Sequence, residues 1–168
     1  MSRGGFASRW GCMRDSIRTM VRIKVLLVED DRPLRELLAK AIEHSDDMVL
    51  VGSYDTAVEM LRAHYPPHAH RAPSIVDDVA DIAVMDIWHS AQKDSTIRVP
   101  DSTEVYTFMR QVGIKVRALF VSSVSEDFVK GACYAIDPES WSYLDKSEIQ
   151  SAKVVLDRIR EQMTRGAA

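Results

Sequence analysis

Cysteine is scarce: Cys12 and Cys133 are the two in 168 residues, which excludes a disulfide framework, and neither belongs to a CxxC pair, which excludes a zinc site of that spacing. A reducing, cytoplasmic setting fits that shortage. No uninterrupted apolar run reaches membrane-spanning length. The first twenty residues carry four arginines but lack the apolar centre of a secretory signal. Neither charge dominates, with 22 Lys and Arg against 25 Asp and Glu and a formal net charge of -3. No face-long Lys/Arg stripe occurs, so direct nucleic-acid binding is not expected. Internal repeats and low-complexity tracts are also missing. What remains is a chain of 46% hydrophobic and 28% charged residues, the size of one ordinary domain with a core of its own.

The most informative stretch is Ile23-Lys24-Val25-Leu26-Leu27-Val28, an apolar run rich in β-branched residues that ends in Glu29-Asp30-Asp31. It reads as a buried strand that delivers acid to one edge of a sheet. Three like charges at a strand end repel one another unless a cation or hydrogen-bond donors offset them, which points to a metal site. The alternative is that Asp31 caps the next helix while the other two acids face water.

The rest of the chain repeats a β-α rhythm. Pro33 opens a helix through His44 on which Leu34, Leu37, Leu38, Ala41 and Ile42 recur at helical spacing. Met48 to Ser53 reads as a second strand, and Asp55 as the cap of a helix that turns Ala57, Val58 and Leu61 inward. Residues 65–79, broken by Pro66, Pro67 and Pro73, read as an inserted loop in which the nearby His64, His68 and His70 are solvated. Asp81 to Asp86 is a third strand ending in a carboxylate, followed by an irregular stretch 87–100. Asp101 or Ser102 starts a helix, with Glu104 as capping-box partner, that buries Val105, Phe108, Met109 and Val112 and stops at Gly113. Arg117 to Val121 is the fourth strand, followed by Ser122-Ser123. Ser125 then leads a helix burying Phe128, Val129, Ala132 and Cys133. Trp141 to Leu144 is a short fifth strand followed by Asp145-Lys146. Ser147 and Gln150 form a capping-box pattern before a last helix whose stripe is Ile149, Ala152, Leu156, Ile159 and Met163.

Five β-α units predict an α/β fold, a doubly wound five-stranded parallel sheet with helices on both faces, and ligands of such sheets bind beyond the carboxyl ends of the strands. Those ends carry Glu29, Asp30, Asp86, Ser122 and Lys146: acids for a divalent cation, a carboxylate nucleophile, a hydroxyl and an ammonium. Taken singly, Asp86 could cap a loop, Ser122 fill a turn and Lys146 sit in solvent; the ordered set argues otherwise.

In that order, VLLVEDD, AVMD, FVSS and YLDK resemble the response-regulator receiver domain of bacterial two-component signalling, over about residues 22–163. The resemblance implies a flavodoxin-like receiver domain at 21–164, an extension at 1–20, and a tail or the start of a linker at 165–168. It implies that Glu29 and Asp30 hold Mg²⁺ together with Asp86 and the backbone carbonyl of Trp88. Asp86 would accept a phosphoryl group from a sensor histidine kinase or phosphotransfer protein. Ser122 and Lys146 would bind the phosphoryl oxygens, and Ser122 and Tyr143 would form the switch. A homodimer through helix four, strand five and helix five, and a place as the regulatory part of a transcription regulator, belong to the same analogy.

The chain departs from the family's pattern in having no proline after Asp86-Ile87-Trp88, a long stretch after strand three, and Ser147 after the lysine. A receiver-like interaction module that works without phosphorylation therefore stays open. A Mg²⁺-dependent phosphohydrolase is disfavoured, because Trp88 stands where such enzymes usually place a second acid.

Overall fold

The computed structural model describes residues 22–64, 79–87 and 100–165. The expectations for residues 1–20, for the loops 65–78 and 88–99, for the Trp88 carbonyl and for residues 166–168 lie outside the described residues. The elements are β1 (Ile23–Val28), α1 (Arg32–Glu43), β2 (Met48–Tyr54), α2 (Ala57–His64), β3 (Ile82–Met85), α3 (Ser102–Gln111), β4 (Arg117–Ser122), α4 (Glu126–Ala132), β5 (Trp141–Asp145) and α5 (Ala152–Thr164). All strand pairs are parallel, and the sheet order is β2-β1-β3-β4-β5. The doubly wound sheet expected from the sequence is the one observed.

Strand alternation divides the core into two layers. Val25 and Leu27 of β1 join Leu38 and Ile42 of α1 and Val155 and Ile159 of α5 on one face. Leu26 and Val28 join Ala57 and Met60 of α2, Tyr106 and Met109 of α3, and Val129 of α4 on the other. Because both faces are covered, β1, β3 and β4 read as continuous apolar runs rather than alternating ones. The chain winds outward in both directions from β1 and β3, so the crevice of a doubly wound sheet opens at their carboxyl ends.

Local chemistry sets the helix ends. The Asp31 carboxylate accepts from the Leu34 N–H at 3.3 Å, with Pro33 in the first turn. Asp101 and Glu104 make the expected capping box, and Gly113 takes φ 91° just past the end of α3.

Several expectations fail. Thr56 rather than Asp55 caps α2, its hydroxyl accepting from the Glu59 N–H at 3.2 Å, because the Asp55 carboxylate is drawn 2.6 Å from Arg35. Phe108 of α3, Val112 just past its end, and Phe128 of α4 are partly exposed instead of buried; Tyr106 is the α3 residue that fills the core, its hydroxyl donating to the Ser140 carbonyl at 2.8 Å. The Ser147–Gln150 capping box does not form. Asp145 accepts from the Ser147 N–H at 2.8 Å and caps a single 3₁₀ turn, Lys146–Glu148, so α5 starts only at Ala152 and buries Val155 and Gln162.

Candidate functional site

The carboxyl ends of β1 and β3 are bound to their neighbours just where the acids begin. The Glu29 N–H donates to the Tyr54 carbonyl at 3.1 Å, and the Asp86 N–H donates to the Val28 carbonyl at 2.8 Å. Each extends a strand pairing by one residue and so fixes the backbone from which the acid projects. Glu29 is 1% exposed and Asp86 5% exposed, while Asp30 is half-buried.

Lys146, directly after β5, crosses to both acids. Its Nζ lies 2.8 Å from Glu29 Oε1 and 2.7 Å from Asp86 Oδ2. Glu29 Oε1 also accepts from the Asp31 N–H at 3.2 Å, and Asp86 Oδ1 accepts from the Ile87 N–H at 2.7 Å. Burial of two carboxylates is tolerable here because an ammonium and two backbone amides meet them.

The electrostatics follow from that crowding. Burial, aided by the Asp86 charge and opposed by the Lys146 hydrogen bond, pushes the Glu29 carboxyl up to about 7. Burial alone would lower Lys146, but its hydrogen bonds and charge pairing with Asp86 and Glu29 outweigh that and raise it. One ammonium thus faces two buried acids, Glu29 and Asp86.

Ligand oxygens of Glu29, Asp30 and Asp86 lie within 4.8 Å of one another. Opposite ligands of octahedral Mg²⁺ sit about 4.2 Å apart, so small side-chain movements would let these oxygens share one ion. The donor set is all carboxylate, which suits a hard divalent cation rather than a soft one. Glu29, Asp30 and Asp86 are therefore residues that fit a hard divalent cation such as Mg²⁺.

Ser122 and Tyr143 stand beside this cluster without hydrogen bonding to it. Ser122 is buried at the end of β4, and its hydroxyl accepts from the Val124 N–H at 3.4 Å. The Tyr143 hydroxyl, on β5, lies 2.5 Å from the Val124 carbonyl and 3.1 Å from the Ser122 carbonyl, tying β5 to the β4–α4 connection. Burial, with the Asp145 charge adding to it, raises the Tyr143 phenol.

Two residues that sequence reasoning passed over also reach this edge. Arg35 of α1 donates to the Glu29 carbonyl at 2.5 Å and pairs with Asp55. Ser102, the first residue of α3 and fully buried, donates its hydroxyl to the Asp86 carbonyl. Nothing in the sequence ties either to its partner, since only the fold brings them together.

No protein-family model matches this chain, and no curated protein sequence does. Solved structures do. The response-regulator domain of CheB from Thermotoga maritima superposes with a TM-score of 0.59 at 21% identity, covering 84% of this chain and 96% of that one. A DNA-binding response regulator of the LuxR family from Staphylococcus aureus gives 0.60 at 14% identity, covering 83% and 98%. A chain of the CheX-CheY-BeF3-Mg complex from Borrelia burgdorferi gives 0.60 at 17% identity, covering 87% and 92%. The fold of this chain is that of response-regulator receiver domains.

Proposed function

We propose that this chain is a phosphoacceptor receiver that takes a phosphoryl group on Asp86 from a sensor histidine kinase or phosphotransfer protein and thereby switches a protein-interaction surface. The observation that carries the reading is the convergence of Lys146 on Asp86 at 2.7 Å, with Glu29 and Asp30 close enough to share a cation. An Asp86 carboxylate oxygen would attack phosphorus, forming an acyl phosphate as the bond to the donor nitrogen breaks and the electron pair returns to that nitrogen. Mg²⁺ held by Glu29, Asp30 and Asp86 would supply charge neutralisation between the carboxylate and its dianionic donor. Lys146 would place a point charge on the phosphoryl oxygens, and Ser122 a hydroxyl hydrogen bond.

Donating to the phosphoryl group would draw the Ser122 hydroxyl, which accepts from the Val124 N–H at 3.4 Å, toward Asp86. That movement acts on the connection held by Tyr143, and so on the face formed by α4, β5 and α5. A homodimer would use the same face. Regulation of transcription, suggested by the DNA-binding LuxR-family neighbour, would be carried out by another domain or partner. Such a chain is a signalling domain rather than a turnover enzyme. Among the described residues no helix is long and apolar enough to cross a membrane.

One observation favours a second reading. The chain departs from the family's pattern around the phosphoacceptor, with no proline after Asp86-Ile87-Trp88 and Ser147 after Lys146, which suits an interaction module that works without phosphorylation. The two separate cleanly. Incubation with a small phosphodonor and Mg²⁺ adds one phosphoryl mass, lost in Asp86→Ala, under the first reading. Under the second no adduct forms, and Asp86→Asn leaves partner binding unchanged.

A further inference from the structure

We propose that Ser102 is a positioning residue for Asp86, acting through the peptide unit that joins Asp86 to Ile87; this rests on the phosphoacceptor reading above. That peptide has two polar ends. Its carbonyl, on Asp86, accepts from the Ser102 hydroxyl. Its N–H, on Ile87, donates to the Asp86 side chain itself, Oδ1, at 2.7 Å.

A trans peptide is a rigid plane in which C=O and N–H point in opposite directions, so holding one end aims the other. Ser102 therefore sets the direction of the amide that receives Asp86 Oδ1, while Lys146 takes Oδ2 at 2.7 Å. The second contact of Ser102 works to the same end, its N–H facing the Ile87 carbonyl at 3.5 Å. With the Asp86 N–H already given to the Val28 carbonyl at 2.8 Å, every polar group of the phosphoacceptor has a fixed partner.

The residue type fits the task. Ser102 is fully exposed to none of the solvent, at 0%, and a buried hydroxyl is costly unless it is bonded. It stands at the first position of α3, where a helix N–H has no partner within the helix, and both its hydroxyl and its N–H face the Asp86–Ile87 backbone. Thr103, the next residue, makes a useful contrast. It is equally buried, but its hydroxyl donates to the Asp101 carboxylate at 2.6 Å and stays within the helix cap.

Catalysis of phosphoryl transfer is mainly positioning and charge stabilisation, and small misplacements of a reacting group cost large factors in rate. The test compares phosphorylation rates of wild type, Ser102→Ala, Ser102→Thr and Thr103→Ala with a small phosphodonor and Mg²⁺, alongside their thermal midpoints and Mg²⁺ affinities. The expected result is a rate loss of about tenfold to a hundredfold in Ser102→Ala, recovery in Ser102→Thr, and a near wild-type rate in Thr103→Ala even where its midpoint falls as far. Mg²⁺ affinity, to which Asp86 contributes one of three carboxylates, should change less than the rate. Should Ser102→Ala not fold, Ser102→Cys keeps the volume with a weaker donor and should lose rate in the same direction. Equal rates in wild type and the hydroxyl-deleted variant, or equal losses in Ser102→Ala and Thr103→Ala, overturn the proposal. Failure of wild type to become phosphorylated would instead sink the phosphoacceptor reading on which it rests.

Discussion

Lys146 and Glu29, 117 positions apart in sequence, are joined at 2.8 Å, and the same ammonium reaches Asp86. The lysine therefore occupies the space between an acid proposed for metal binding and the acid proposed as nucleophile. A cation entering the site must share Glu29 and Asp86 with it. Lys146→Met should raise Mg²⁺ affinity, because one competing charge is gone, and yet slow phosphorylation, because a charge on the phosphoryl oxygens is gone too. The cost in stability should be about 2–3 kcal/mol, less than for a wholly buried pair because the lysine keeps some solvent. Calorimetric Mg²⁺ titration and denaturant unfolding read both. Weaker Mg²⁺ binding in the variant would contradict this arrangement.

The raised Glu29 carboxyl makes the metal-free protein sensitive to pH. Its folded value of about 7 stands above its ordinary 4.5, so the folded state binds the extra proton between those values. This contribution to stability is complete below about pH 4.5 and disappears as pH rises through about 7, amounting to about 3 kcal/mol. Unfolding of metal-free protein at a series of pH values should show that decline, and Glu29→Gln should flatten it. An unchanged slope in the variant would assign the dependence to another group.

A second ion pair tests the opposite sign. Arg160 of α5 donates from Nε to Asp47 Oδ2 at 2.8 Å and from Nη2 to Asp47 Oδ1 at 2.9 Å. These bonds, with one from Ser45, hold the Asp47 carboxyl well below its ordinary 3.8. Stability from this pair is present above that ordinary value and lost as pH falls below it. Since both side chains are substantially exposed, Asp47→Asn should cost only about 0.5–1 kcal/mol at neutral pH and nothing measurable at strongly acid pH. A loss that persists at acid pH would point to packing instead of charge.

The Tyr143 hydroxyl should govern the β4–α4 connection. Tyr143→Phe removes its bonds to the Val124 and Ser122 carbonyls at a cost of about 1 kcal/mol. Amide hydrogen exchange should quicken at Val124 and its neighbours, with α1 unchanged. Uniform quickening across the chain would mean a global loss of stability instead.

The fold was legible because fully covered strands carry their own signature. Ile82-Ala83-Val84-Met85 and Ala118-Leu119-Phe120-Val121 read as apolar runs, and each meets a polar residue where it leaves the sheet. Glu29, Asp30, Asp86 and Lys146 were legible because they sit at those exits. Helix faces were read less well. Periodicity selects an apolar stripe but not its centre, so the pattern points to Phe108 as core while Tyr106, its hydroxyl bonded to the Ser140 carbonyl, fills it. Caps failed where a stronger partner competed: Arg35 took Asp55, and Asp145 claimed the Ser147 N–H. Ser102 was invisible as a neighbour of Asp86 because sixteen positions separate them and only the fold closes that gap.

Reductive trapping shows whether Asp86 itself receives a phosphoryl group. Borohydride reduces an acyl phosphate on aspartate to homoserine, so tandem mass spectrometry of protein treated with phosphodonor and Mg²⁺ should find homoserine at position 86. The phosphorylation reading predicts that product only with Mg²⁺ present and at no other acid of the chain. Homoserine at a different position, or none from folded protein that binds Mg²⁺, would contradict it.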